Sequence, residues 1–169
     1  MNDISIRRAA RADLPRLLDI YNHYIVNTPV TFDTEPKTLA EREEWFGQFS
    51  DRGKFQCFVA DRGGSAAGWV SSTRFKQKDA YATTVETSIY LAPGETGKGA
   101  GRSLYEALFA ALKSENLHMA FAGVVLPNDR SIGLHRSMGF RQAGVQPQIG
   151  RKFDRYWDIA QMFKCLDGD

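Results

Sequence analysis

Residues 83–112 restrict the possible architectures more than any other stretch, because a strand pattern runs through a glycine cluster straight into a helix pattern. Between Thr83 and Leu91, Val85, Thr87, Ile89 and Leu91 fall on one face and Thr84, Glu86, Ser88 and Tyr90 on the other, the period-two alternation of a strand. Gly97-Lys-Gly-Ala-Gly101 follows, and then Leu104, Leu108 and Leu112 recur at helical spacing. Such a unit points to helices packed on a sheet.

The rest of the chain agrees. Ile4–Arg7 alternates as a strand. Asp13 before Leu14-Pro15 is read as the cap of a helix, since proline in a first turn lacks only an amide that has no partner there. Thr38 and Glu41 form a capping box ahead of a second helix, whose neighbours Trp45, Phe46 and Phe49 fit core packing. Residues 27–36 read as a long loop, which is often functional. Strands are predicted at 55–60 and 66–72 around the turn Asp61–Gly64, and the apolar run Met119–Leu126 as a buried strand. A helix capped by Asn128 or Asp129 and closed by Gly139 comes next, with final strands at 140–145 and 156–163. The order β-α-α-β-β-β-α-β-α-β-β gives one α/β (α+β) domain over residues 1–169, a mixed, mostly antiparallel sheet of about seven strands flanked by about four helices.

Composition narrows the function. With 169 residues, 43% apolar and 25% charged, the chain is one ordinary globular domain. It buries roughly 68–70% of its unfolded surface and needs no disulfide or metal staple. The eight-residue run Met119–Leu126 is too short to cross a bilayer, and the first residues hold no apolar signal core. Cys57 and Cys165 make no metal-ligand pattern and fit a reducing compartment, so a cytoplasmic location without a membrane partner is expected. Twenty-two basic against 20 acidic residues leave a net charge of +2, with no block of like charge, and no nucleic-acid partner is expected.

The glycine loop invites an anion. Glycines between a strand and a helix let backbone amides approach a ligand, and the positive end of the helix dipole adds to them. Lys98 and Arg102 add charge at the rim. A flexible turn is an equally good reading of the glycines alone. The spacing fits neither a P-loop, which places Ser or Thr after its Lys where Gly99 stands, nor the dinucleotide fingerprint, whose third glycine is missing.

Several segments together carry a resemblance. Thr83 to Phe140, with its Gly-x-Gly-x-Gly loop and Asn128 ahead of Leu134-His-Arg-Ser-Met-Gly-Phe140, resembles the core of the GNAT N-acetyltransferase superfamily. Tyr21-Asn-His-Tyr, Thr31-Phe-Asp-Thr, Thr84-Val-Glu-Thr-Ser-Ile-Tyr90, Pro127-Asn-Asp and Gly150-Arg-Lys-Phe-Asp-Arg-Tyr-Trp-Asp158 are similar to its phosphinothricin and methionine-sulfone acetyltransferase branch. The resemblance implies acetyl-CoA as co-substrate. Ile89, Tyr90 and Leu91 would pair with the pantetheine arm, Gly97, Lys98, Gly99, Ala100, Gly101 and Arg102 would cradle the pyrophosphate, and Asn128 would contact the arm. Thr96 departs from the Gln or Arg usual in the superfamily at the start of the loop. Glu86 falls on the family's proposed general base, acting directly or through water, and His135 stands where many members carry a tyrosine acid. His135 is thus an acid, a second base or a packing residue. The resemblance further implies that Arg74, Lys76, Gln77, Lys78 and Tyr81, with Phe32, Thr87 and Ser88, bind a small amino-acid acceptor, and that the chain forms a homodimer. Acetylation of another amine and a non-catalytic CoA-binding module are the competing readings. Glu86 speaks against the module, which has no need of a carboxylate there.

Overall fold

The computed structural model describes residues 4–167; residues 1–3 and 168–169 of the expected domain lie outside the described residues. Seven strands make one sheet: β1 Ile4–Arg8, β2 Cys57–Arg62, β3 Ser65–Arg74, β4 Thr84–Leu91, β5 Met119–Leu126, β6 Arg141–Lys152 and β7 Arg155–Cys165. The helices are α1 Leu14–Asn27, α2 Leu39–Phe46, α3 Ala100–Leu112 and α4 Asp129–Ser137, with 3-10 turns at Arg11–Asp13 and Asp79–Tyr81. The strand order is β1-β2-β3-β4-β5-β7-β6. Every neighbouring pair is antiparallel except β4–β5. The mixed, mostly antiparallel α/β fold read from the sequence is the one observed.

Local chemistry explains the element ends. The capping box at α2 is complete, with Thr38 Oγ1 accepting from the Glu41 N–H and the Glu41 carboxylate accepting from the Thr38 N–H at 2.8 Å. Asn128, rather than Asp129, caps α4, its Oδ1 accepting from the Ser131 N–H at 3.1 Å. Asp13 corrects the sequence reading, because its side chain does not cap α1. Arg7 holds the carboxylate with two bonds of 2.8 Å, and the Ala10 N–H donates to it at 2.7 Å. A two-pronged charge-assisted contact outcompetes neutral helix amides.

The last two strands are longer than expected. Gly144, Pro147 and Gly150 are poor strand formers, but register shifts at 142–144 and 146–150 absorb the irregular stretch. Because β6 is the outer strand, Pro147 is tolerated there. Phe153 and Asp154, at φ 52° and 57°, turn the chain into β7.

The sheet has a core on each face. Val85, Leu104, Leu108, Ala120 and Met162 belong to the cluster under α3. Leu14, Leu17, Ile20, Val59 and Trp69 belong to the one under α1, with Tyr90 and Trp45 packed against it. Alternate residues of β4 feed the two cores, which leaves Glu86, Ser88 and Tyr90 on the α1–α2 face.

Candidate active site

The one parallel pairing in the sheet is also the shortest. β4 and β5 are in register only from Thr84 opposite Met119 to Glu86 opposite Phe121, and then they part. Thr87 Oγ1 sits in the fork and donates to the Phe121 carbonyl at 3.1 Å. Between the diverging strands opens a cavity of about 850 Å³, lined by Ile89, Tyr90 and Leu91 on one side and Ala122, Gly123, Val124 and Val125 on the other. Strand edges that separate in this way can take an extended arm between them as an added strand. Tyr24 also lines it, its hydroxyl donating to the Leu91 carbonyl at 2.7 Å.

At the mouth of this cleft lies the glycine loop. Gly97 and Gly99 take left-handed backbone (φ 78° and 88°), Gly99 is the N-cap of α3, and no atom stands within 4 Å of where a Cβ would be at either position. The first-turn amides of α3 have no intrahelical partner and face a lining that includes Gly97, Gly99, Gly101 and Arg102. The side chain the loop lacks at Thr96 is supplied from the neighbouring helix, for Arg130 Nη1 donates to Thr96 Oγ1 at 2.7 Å and also lines the cleft. Sequence reasoning missed Arg130; its position in the first turn after Asn128 was the available signal.

Glu86 stands at the apex of the fork and is half-buried. Desolvation raises its pKa above the usual carboxylate range. His135 is buried, its Nε2 2.8 Å from the Tyr105 hydroxyl and its Nδ1 2.7 Å from the Ser131 carbonyl. The carbonyl can only accept, so the proton sits on Nδ1 and Nε2 accepts from Tyr105. Burial lowers the imidazole pKa and raises that of Tyr105. Tyr105 in turn lies 3.2 Å from Thr87 Oγ1, so its hydroxyl stands between His135 and the fork, with its proton on the His135 side and that of Thr87 on the Phe121 carbonyl.

The structure therefore brings Phe32, Glu86, Thr87, Ser88, Ile89, Tyr90, Leu91, Gly97, Gly99, Gly101, Arg102, Asn128 and His135 into one cleft lining. Ala100 is buried behind the loop, and Lys98 reaches Glu95 at 3.5 Å outside that lining. Arg74, Lys76, Gln77, Lys78 and Tyr81 are exposed on the segment joining β3 to β4 and do not line the cleft. There Lys76 lies over the Phe75 and Tyr81 rings, and Arg74 reaches Gln77. Arg74 is nonetheless next to Thr73, the register partner of Glu86.

The chain belongs to the acetyltransferase (GNAT) family, whose profile matches residues 17–140, a span that takes in the fork, the glycine-capped helix and Glu86. A phosphinothricin N-acetyltransferase of Streptomyces coelicolor is 45% identical over 94% of both chains. An L-methionine sulfoximine/L-methionine sulfone acetyltransferase of Pseudomonas aeruginosa is 37% identical over 96% of this chain and 95% of its own. The crystal structure of a GNAT phosphinothricin acetyltransferase from Sinorhizobium meliloti with acetyl-CoA superposes at a TM-score of 0.91, with 30% identity over 98% of this chain and 89% of that one.

Proposed function

We propose that this chain acetylates the α-amino group of a small amino acid or amino-acid analogue, of the phosphinothricin or methionine-sulfone kind, by direct attack on acetyl-CoA in a ternary complex. The observation that carries the proposal is Glu86 at the apex of the β4–β5 fork, with the glycine-capped N-terminus of α3 at its mouth. The cleft fits acetyl-CoA: open space at Gly97 and Gly99 admits a pyrophosphate against the α3 amides, and the parted strands admit the arm. Each charge-assisted amide contact is worth roughly 1.5–3 kcal/mol. Bound acetyl-CoA supplies a thioester-activated acetyl group.

Arg102 and Arg130 add positive charge to the cradle, and Ile89, Tyr90, Leu91 and Asn128 position the arm. An amino group is largely protonated at neutral pH, and Glu86 removes that proton, directly or through a water. Buried, neutral His135 has both ring nitrogens engaged, Nδ1–H by the Ser131 carbonyl and Nε2 by the Tyr105 hydroxyl, and in this reading orients that hydroxyl rather than exchanging a proton with the substrate. Neither thiol serves as nucleophile. Cys57 is buried and pushed up to about 12, and Cys165 is exposed at the end of β7, outside the cleft lining.

Phe32 and Ser88 border the acceptor, with the Arg74–Lys78 segment as its outer wall. A thiol-release assay against phosphinothricin, methionine sulfone, methionine sulfoximine, natural amino acids and polyamines tests the reading. Turnover with the first group supports it; turnover confined to polyamines or peptides refutes it. The reading also includes a cytoplasmic location, in keeping with the buried, unoxidised Cys57. It makes the chain a homodimer through the exposed apolar side chains of the β6–β7 hairpin.

A further inference from the structure

Three side chains able to bind a metal meet where β5 begins and β7 ends, at the opposite end of β4 from the glycine loop. His118 Nδ1 donates to Asp167 Oδ2 at 2.6 Å, and the Cys165 thiol donates to Asp167 Oδ1 at 3.0 Å. One donor atom from each residue lies within 4.8 Å of the other two. All three residues are exposed, Cys165 is in no disulfide, and none of them lines the cleft that holds Glu86. Linear spacing hid the group, because His118 and Asp167 stand 49 positions apart.

The central sheet fixes the backbone that carries them. The His118 N–H donates to the Thr83 carbonyl ahead of β4, and the His118 carbonyl accepts from the Leu166 N–H, each at 2.8 Å. Cys165 is the register partner of Met119. The donor set then selects the ion. An imidazole nitrogen, a thiol sulfur and a carboxylate oxygen suit zinc, whereas magnesium and calcium take oxygen ligands. A tetrahedral zinc with bonds of about 2.0–2.3 Å holds its donors roughly 3.3–3.6 Å apart. Rotation of the exposed side chains reaches that spacing while the strands stay in place.

We propose that His118, Cys165 and Asp167 form a zinc site, with water as the fourth ligand. On binding, the Cys165 S–H bond breaks, its proton goes to solvent and a sulfur lone pair bonds the ion. The imidazole binds through Nδ1 and carries its proton on Nε2, and Asp167 exchanges its two hydrogen bonds for one bond to the metal. No electron changes hands. The ion ties the last residues of β7 to the start of β5, and its binding free energy adds to the stability of the folded chain. This role is separate from acetyl transfer, whose residues lie in the cleft.

The test titrates chelator-stripped, tag-free protein with Zn²⁺ in a calorimeter and with Co²⁺ in a spectrophotometer. The expected result is one equivalent of Zn²⁺ bound with a Kd of about 1 μM or tighter. Co²⁺ should give the sulfur-to-metal charge-transfer band of a cobalt thiolate, and saturating Zn²⁺ should raise the melting temperature by several degrees. Cys165→Ser should abolish that band although Cys57 remains, and should weaken Zn²⁺ at least tenfold. His118→Ala should weaken both metals to a similar degree. The substituted side chains are exposed, and unchanged circular dichroism checks that each variant folds. A wild type without the charge-transfer band overturns the proposal. So does equal Zn²⁺ affinity in the wild type and Cys165→Ser, which marks the binding as adventitious and the three side chains as surface hydrogen-bond partners only.

Discussion

In the proposed mechanism a single carboxylate sets both the chemistry and a cost in stability. Burial raises the Glu86 pKa, so the folded protein binds that proton more tightly than the unfolded chain does. The stabilisation this provides is complete below the ordinary carboxylate range and is lost as pH rises through the raised folded value. Catalysis needs the opposite form, the ionised base. Glu86→Gln should therefore lower kcat by about 10²–10⁴-fold and erase the acidic limb of the pH–rate profile. The same variant should melt above wild type at pH 7 in a calorimeter, with the difference vanishing below about pH 4. A carboxylate among apolar and hydroxylic residues of a strand reads by itself as an ordinary solvated Glu, and it was the resemblance of the surrounding segments that singled out Glu86. Arg130 was not legible, since its partner Thr96 lies 34 positions away in sequence and only the packing of α4 beside the loop brings them together. Arg130→Ala should raise KM for acetyl-CoA several-fold, as loss of one rim cation implies, with kcat at saturation nearly unchanged in steady-state assays.

At the level of elements, periodicity located the strands and helices, while their ends were settled by competition between partners. The box at Thr38 formed because nothing nearby opposes it; the cap at Asp13 did not, because Arg7 takes the carboxylate. The extra length of β6 was hidden by Gly144, Pro147 and Gly150, residues whose disfavour in strands is overridden at an irregular sheet edge. Gly150 has a further role that composition conceals. A Cβ there would stand 2.0 Å from the Phe32 ring, and Lys152 Nζ donates to the Thr31 carbonyl at 2.8 Å. The hairpin is thus clamped onto the loop that borders the acceptor. Gly150→Ala must displace Phe32, and the expected outcome is an acceptor KM raised at least fivefold, with KM for acetyl-CoA unchanged because its cradle lies on α3.

For the molecule as a whole, the sheet separates two tasks. In the proposed reading the fork and the α3 end take the donor, and the Glu86 face of β4 beside the loop at 27–36 takes the acceptor; alternation along β4 lets one strand border both. The two faces of β4 were visible in the sequence as the alternation of 83–91, but a cavity of about 590 Å³ that α1 and α2 wall together with β3 and β4 was not, and Arg42 in that wall reads in sequence as one more charge on a helix. The outer strand completes the argument. Val145, Ile149, Phe153 and Tyr156 on the β6–β7 hairpin are 42–59% exposed, and apolar side chains left exposed along an outer strand and its turn offer a surface that a second copy can cover. Self-association through this edge predicts that Val145→Lys with Ile149→Lys, which adds charge without touching either core, halves the mass seen by sedimentation while preserving the circular dichroism spectrum. Because the same hairpin is clamped to Phe32, the monomer should keep its affinity for acetyl-CoA and lose affinity for the acceptor. A wild type that sediments as a monomer, or a monomeric variant with unaltered acceptor KM, would show that this edge is left open and has no part in shaping the site.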